Sequence, residues 1–508
     1  MGGEGFEPPK AKPAGLQPAP FDHSGIRPSW RVEESTAGLV TGQDVRGNDK
    51  GPESGTNPGR GGLPLRRGSI PDIRTPRLDE ASPRPIHLSH PERHVKIRTS
   101  LGTLAAAGLA VGAGFMSANA LPGGGKGGAA GQIGADVAVC DLPAAYRWGT
   151  VSGVSAYSVG TTSVNLGDVD LEWYANTNRH PRIPQNAFKF DRGRLIQIGQ
   201  SWCKDGFCAL QLNECGSCQP AGSGCPQVLG PGCSDPYSSS LNGEQSGLAP
   251  RSQCNAATGD FIYPPQNLPS AAPTLGRRLQ VQQIELNPNA TTDDARFYMD
   301  AFYLHPQDYE AGNQLNNASY RRFNIGNLSS SGYQLSMTGS TRLGLPGIFA
   351  WEENSSSVEI QAIDLPGDGR IFVADDVIDN GDGTWNYEYA IYNLTSELAV
   401  NAFSVDMASG VTVLDREFHD APSHSGEPYK TYNWAPNIGS GYLGWKTTEH
   451  SVDENANAIR WGTMYNFTIV ADAPPTEGSA ELETFTDNGT ISVSVLSLIH
   501  ISEPTRPY

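Results

Sequence analysis

Long amphipathic helical patterns are scarce in this 508-residue chain, which argues against a helical bundle or a coiled coil. No apolar run reaches the ~20 residues that a membrane-spanning helix needs. The longest, Leu101 to Met116, has 16. Lysine is scarce too: residues 121–495 hold five, within 20 Lys and Arg set against 41 Asp and Glu, a balance of −21. So acidic a surface repels phosphate backbones and anionic lipid, which argues against nucleic acid and membrane partners. It suits solubility in salty water and divalent cations. There is no G-x-S-x-G, no helical H-E-x-x-H and no nucleotide-binding strand–loop–helix unit. Five histidines fall in residues 121–495 (His180, His305, His419, His424 and His450), and nothing in their spacing singles out a catalytic triad.

What is present begins with Val95 to Ala120, VKIRTSLGTLAAAGLAVGAGFMSANA. Lys96 and Arg98 make a basic head, Leu101 to Met116 an uncharged apolar run, and Ser117 to Ala120 an A-x-A end. That order is a secretory signal peptide. The 94 residues before it are rich in Pro, Gly and Arg without apolar periodicity. Gly5 to Pro8 (GFEP) resembles the antisense translation of a transfer-RNA gene, a match extending over residues 1–28. Residues 1–94 are therefore read as non-native upstream translation or disordered chain, with a start at Val95. At the other end, Leu496 to Arg506 (LSLIHISEPTR) resembles a translated sequencing adapter, so 496–508 is read as an artefactual tail.

The fold class expected for the remainder is all-β. Residues 121–134 form a Gly-rich linker, 135–263 a Cys-rich β domain, 275–350 a β region that either stands alone or joins it, and 355–495 a β-sandwich, immunoglobulin-like or jelly-roll-like. Phe188, Phe190, Leu195, Ile196 and Ile198 flank Asp191-Arg192-Gly193, a hairpin with its turn. Arg278 to Leu286 alternates in two phases, suggesting a bulge at Gln282-Gln283. Arg296 to Leu304 (RFYMDAFYL) reads as an aromatic strand, and Pro264 to Thr274 as a Pro-rich domain joint. Eight short strands recur between Ser357 and Val495.

The eight cysteines, Cys140, Cys203, Cys208, Cys215, Cys218, Cys225, Cys233 and Cys254, are even in number in an exported chain and read as four disulfides of unknown pairing. Cys215-Gly-Ser-Cys218 has redox or zinc spacing as well, but lacks a βαβ context. Two carboxylate-rich turns, around Asp364 and Asp368 and around Asp379 and Asp382, suit either tight turns or calcium, the one cofactor the sequence admits. His419, Asp420, His424 and Glu427 put two imidazoles and two carboxylates on one loop, fit for a ligand, a metal or proton transfer. Asp235, Tyr237, Asn242 and Arg251 lie in a crosslinked polar stretch suited to sugars, which offer hydroxyls and a pyranose face.

The segments GVSAYSVGT (153–161), GCSDPYSSSLNG (232–243), DNGDGTWNYEYAIYN (379–393), HSGEPY (424–429) and AIRWGTMYNF (458–467) resemble uncharacterised secreted proteins of planctomycete-like bacteria. The resemblance implies a location and an architecture, with no catalytic residue to carry over. The expected function is a secreted or cell-surface protein, in the periplasm or outside, with a structural, adhesive or glycan-binding role. Its partners would be polysaccharide or cell-surface components, and no transmembrane anchor is expected in the surviving fragment. The alternative is an extracellular carbohydrate-active hydrolase or lyase using carboxylates or the His419–Glu427 loop.

Overall fold

In the computed structural model, residues 132–499 are described. The signal peptide, both end segments apart from residues 496–499, and most of the Gly-rich linker lie outside that range. Strands dominate; the α-helices among the described residues are the short Ser239–Asn242 and Pro306–Ala311. The chain is all-β and disulfide-stabilised, as its alternating patterns indicate.

Eight antiparallel strands make the first large sheet. Their spatial order is Gly332–Met337, Ala318–Ser329, Arg296–Phe302, Gln185–Asp191, Arg194–Gln200, Leu279–Gln282, Val154–Val159 and Ala145–Val151. The sheet curls until its two edges meet: Arg147 Nη1 donates to Gly332 O at 2.7 Å, and Tyr157 Oη to Tyr333 O at 3.0 Å. Gly332 allows this approach, because a Cβ there would lie 2.7 Å from Thr150 Oγ1, and its φ is +102°. Alternation sorts side chains between the two faces. Phe297, Met299, Ala301 and Tyr303 fill the curl with Tyr157, Ile196, Ile198 and Phe323. Tyr298 and Phe302 point outward with Phe188, Leu195 and Tyr320.

That outer face is covered by a second sheet, of five strands, in the order Glu359–Asp364, Arg370–Asp379, Trp385–Asn393, Thr463–Ala471 and Val413–His419. Phe372, Ala374, Ala390, Tyr392 and Met464 meet the first sheet. Ile371, Val373, Tyr389, Ile391 and Phe467 face the other way, against Phe403, Leu443, Trp445, Leu482 and Val495 of a third sheet. Its order is Ala435–Gly439, Tyr442–Lys446, Val400–Asp406, Thr476–Thr484 and Thr490–Ser497. The second and third sheets are the sandwich. A middle sheet buried on both faces explains why its strands read as near-continuous apolar runs.

Several sequence expectations change here. Strands on both sides of the Pro264–Thr274 stretch pair directly, Gln280 with Gln200 and Val281 with Ser155, so the stretch is a loop within one body. The phase slip after Gln282 is a strand end followed by one 3₁₀ turn, Gln283–Leu286, in place of a bulge. The Ala435–Gly439/Tyr442–Lys446 hairpin lacked a strong alternating pattern and was not anticipated. The Thr490–Ser497 strand includes Leu496 and Ser497, and Leu498 is fully buried, so these three residues of the adapter-like run take part in the third sheet and its core.

Three disulfides form, Cys140–Cys215, Cys208–Cys225 and Cys218–Cys233. The expected fourth does not: Cys203 and Cys254 are buried free thiols within the apolar cluster that joins the first two sheets. Cys215 and Cys218 each bond elsewhere, so the C-x-x-C spacing is structural.

Candidate functional site

The outer face of the first sheet carries Arg296 and Arg322 beside the apolar cluster it shares with the second sheet. There lies a cleft of about 610 Å³, lined by Phe190, Arg192, Arg296, Tyr298, Arg322 and Glu353 among others. Its floor follows from strand register. Arg296 and Tyr298 are two apart on one strand, so they share a face. Arg296 is opposite Phe190 on one neighbouring strand, and Tyr298 is opposite Arg322 on the other. The rim is the hairpin tip, where Arg192 (φ 53°) and Gly193 (φ 82°) are both left-handed. Such a two-residue turn matches strand twist, but a non-glycine residue there is held against its preference.

Two acids line the cleft, Asp294 and Glu353, and Glu353 is already engaged. Glu353 pairs with Arg342 Nε and accepts from Tyr320 Oη at 2.9 Å. Asp191, behind the rim, lies 3.9 Å from Arg192 Nη1 and accepts from Thr292 N and Oγ1 at 3.1 and 2.6 Å. Burial would raise the Asp191 pKa, but the Thr292 bonds and the charges of Arg192 and Lys189 outweigh it and hold the carboxyl low. Arg296 Nη1 donates only to the carbonyls of Asp293 and Ala295, at 3.0 and 2.9 Å. Arg322 is exposed and has no ion pair or side-chain hydrogen bond among the described residues.

The residues singled out from sequence lie elsewhere, and most are internal fasteners. Asp235 is buried and accepts from Leu210 N at 2.8 Å. The buried Tyr237 hydroxyl accepts from Trp173 Nε1 at 2.9 Å and donates to Cys208 O at 3.2 Å. Asn242 donates to Val159 O and Thr161 Oγ1 at 2.9 and 3.0 Å. In a segment poor in apolar residues, inward hydrogen bonds do the work of a core, so polar density there does not signal a ligand surface.

The structure does bring Arg251, His424 and Glu427 together, around a space of about 30 Å³, room for a single water. Glu427 Oε1 accepts from Arg251 N at 2.8 Å, and His424 Nε2 donates to Arg278 O at 2.8 Å. The loop is a latch joining the sandwich to the first sheet: Gln280 Nε2 also donates to Ser425 Oγ at 2.6 Å, and Gln200 Nε2 to Pro422 O at 2.9 Å. His419, at its strand end, does not line this space. The sequence could have pointed to the cleft only through RFYMDAFYL, whose alternation puts Arg296 on the Tyr298 face; the partner strands are not visible in it.

Three of the four carboxylates of the carboxylate-rich turns are held within their own hairpin, and Asp368 by a neighbouring loop. Asp364 is bidentate to Arg370, at 2.5 and 2.9 Å. Asp368 accepts from Ser396 Oγ and from Glu397 N at 2.9 Å. Asp379 accepts from Gly381 N at 2.8 Å, and Asp382 from Thr384 N and Oγ1 at 3.0 and 2.6 Å. Among the described residues, no group of three or more His, Cys, Asp or Glu side chains is placed to hold a metal ion.

Burial shifts the internal titrating groups in two opposed sets. Asp375, Glu388 and Glu397 are raised to about 7, and Asp136 and Asp300 to about 6. His419 and His424 are lowered to about 4, His180 and His305 to about 3, again by desolvation. A carboxyl with a raised native pKa stabilises the fold below its ordinary value near ~4 and loses that contribution as pH rises through its native pKa. An imidazole with a lowered native pKa stabilises above ~6.5 and loses that as pH falls toward its native pKa. The sets oppose each other between roughly pH 4 and 6.5, and above that the carboxyls act alone. The melting temperature is therefore expected to fall between about pH 6.5 and pH 8, and Glu388→Gln to shrink that fall. Calorimetry showing a melting temperature at pH 8 equal to or above that at pH 6.5 would refute the assignment.

The fold and cleft define a class, a disulfide-stabilised all-β protein with a polar cleft on one sheet face. Compared with protein-family models and with curated proteins, the chain matches none of either.

Proposed function

We propose that this is a secreted or cell-surface glycan-binding protein, with the 610 Å³ cleft as its ligand site. The observation that carries the reading is the cleft itself. It is concave and open, of a size that takes one to a few sugar rings, and most of its lining side chains are polar. Three disulfides suit an oxidising compartment, and among the described residues no helix is long and apolar enough to cross a membrane. Planctomycete-like secreted relatives and a role at the cell surface or matrix belong to the same reading. The test is a glycan array probed with the full-length protein, with metal content measured in parallel. Retention of one glycan class above background is expected, and a blank array would sink the proposal.

A second reading, a carbohydrate-active hydrolase or lyase, rests on Asp294 and Glu353 lining the same cleft. Glu353 is committed to Arg342 and Tyr320, which favours binding over proton transfer. Bound oligosaccharide recovered intact after prolonged incubation is the expected result; shortened or unsaturated products would favour the enzyme.

A further inference from the structure

We infer that the cleft selects saccharides carrying oxyanions, carboxylate or sulfate, and binds them through Arg322 and Arg296 with Arg192 at the rim. This rests on the glycan-binding reading and adds the ligand's chemistry. Residues 121–495 hold 15 arginines, and their 20 basic groups are outnumbered by 41 acidic ones. Seven of the arginines, Arg179, Arg182, Arg192, Arg194, Arg321, Arg342 and Arg370, pair with a carboxylate. Arg322 does not, and Arg296 donates only to nearby carbonyls. Both lie on the floor of the cleft, on neighbouring strands.

Register places them usefully. Arg322 is opposite Tyr298, and Arg296 is two residues from Tyr298 on the same strand and face. The two are diagonal neighbours, with Cα atoms about 7–8 Å apart. Two guanidinium groups on such anchors can bracket one oxyanion or two adjacent ones, and each offers a fork matched to carboxylate or sulfate. The third, Arg192, occupies a left-handed position at the hairpin tip that glycine or asparagine would fill more comfortably. The net acidic charge of the protein would repel a polyanion from most of its surface, which favours approach to the arginines of the cleft. Of the acids nearby, Glu353 is paired with Arg342, and Asp191 is hydrogen-bonded to Thr292 and lies 3.9 Å from Arg192; Asp294, also in the lining, is one carboxylate against three arginines.

The test titrates the full-length protein, by isothermal calorimetry, with three probes: a tri-uronate, a sulfated trisaccharide and a neutral trisaccharide. Variants are Arg322→Ala, whose side chain has no structural partner, and Arg416→Ala, which removes the same charge from an exposed strand position outside the cleft. At least one acidic probe is expected to bind tenfold or more tighter than the neutral one. Arg322→Ala should weaken it tenfold or more, Arg416→Ala less than twofold, and raised salt should weaken wild type more than Arg322→Ala. The two acidic probes tell carboxylate from sulfate. Equal binding of acidic and neutral probes, or equal losses in both variants, overturns the oxyanion inference and leaves glycan binding standing. No binding of any probe, together with a blank glycan array, overturns both.

Discussion

Arg251→Ala is expected to lower the stability of the fold by about 3–5 kcal/mol, as removal of one member of a buried, hydrogen-bonded charge site does. The guanidinium is almost fully buried between the first and second sheets. Nε donates to Ser201 O at 2.7 Å, Nη1 to Gly462 O at 3.1 Å, and Nη2 to Gln185 O and Asn186 Oδ1 at 3.0 and 2.8 Å. Alanine would leave Ser201 O unpaired, at roughly 1–3 kcal/mol, take one of two donors from Gly462 O, Gln185 O and Asn186 Oδ1, which keep Gln197 Nε2 or Ser201 N, and deprive the Glu427 carboxylate of a nearby positive charge. Arg251→Lys is expected to recover little, because a single ammonium cannot reach acceptors arranged around a planar fork. Urea denaturation gives the measurement. A loss under about 1 kcal/mol would show that the sheets are held together without this clamp.

Loss of the Cys140–Cys215 bridge has the second large effect. It spans 75 residues, against 17 and 15 for Cys208–Cys225 and Cys218–Cys233. Chain entropy alone assigns about 4 kcal/mol to the long loop and about 3 to each short one. The double variant Cys140→Ser, Cys215→Ser should therefore melt lowest of the three bridge deletions. Reduction of all three bridges should unfold the Cys-rich region, since their sum rivals the 5–15 kcal/mol typical of whole domains. Alkylation after denaturation without reductant should label Cys203 and Cys254 alone. In the native protein both should resist, because burial pushes the Cys203 thiol up to about 12 and raises Cys254 as well. A denatured, unreduced chain with no reactive thiol would mean that these two are joined.

Much of the strand content is legible before any tertiary contact is considered. The Gln185–Asp191/Arg194–Gln200 hairpin follows from apolar alternation around a turn ending in glycine, and the turn is where the pattern puts it. The sandwich strands from Glu359 to Asn393 are marked by β-branched and aromatic residues between Asp, Asn and Gly turns. The candidate site was much less visible. Tyr237 and Asn242 sit in a stretch that is polar whether its bonds point inward or outward, and only their partners Trp173 and Thr161 decide. Arg251 has the composition of a ligand contact and is a clamp, because Gly462, 211 residues away, comes to meet it.

The sequence by itself determined the all-β class, the crosslinked first half, the acidic surface and the hairpin that carries Arg192. Those depend on side-chain alternation, turn residues and composition, which act over a few positions or over the chain as a whole. Tertiary structure alone decided which cysteines pair, which polar groups are spent inside, and that Phe190, Arg296 and Arg322 share one floor. Those outcomes depend on which faces meet across long loops. Where the apolar cover over the first sheet's outer face stops is set by that packing, and no local pattern encodes it.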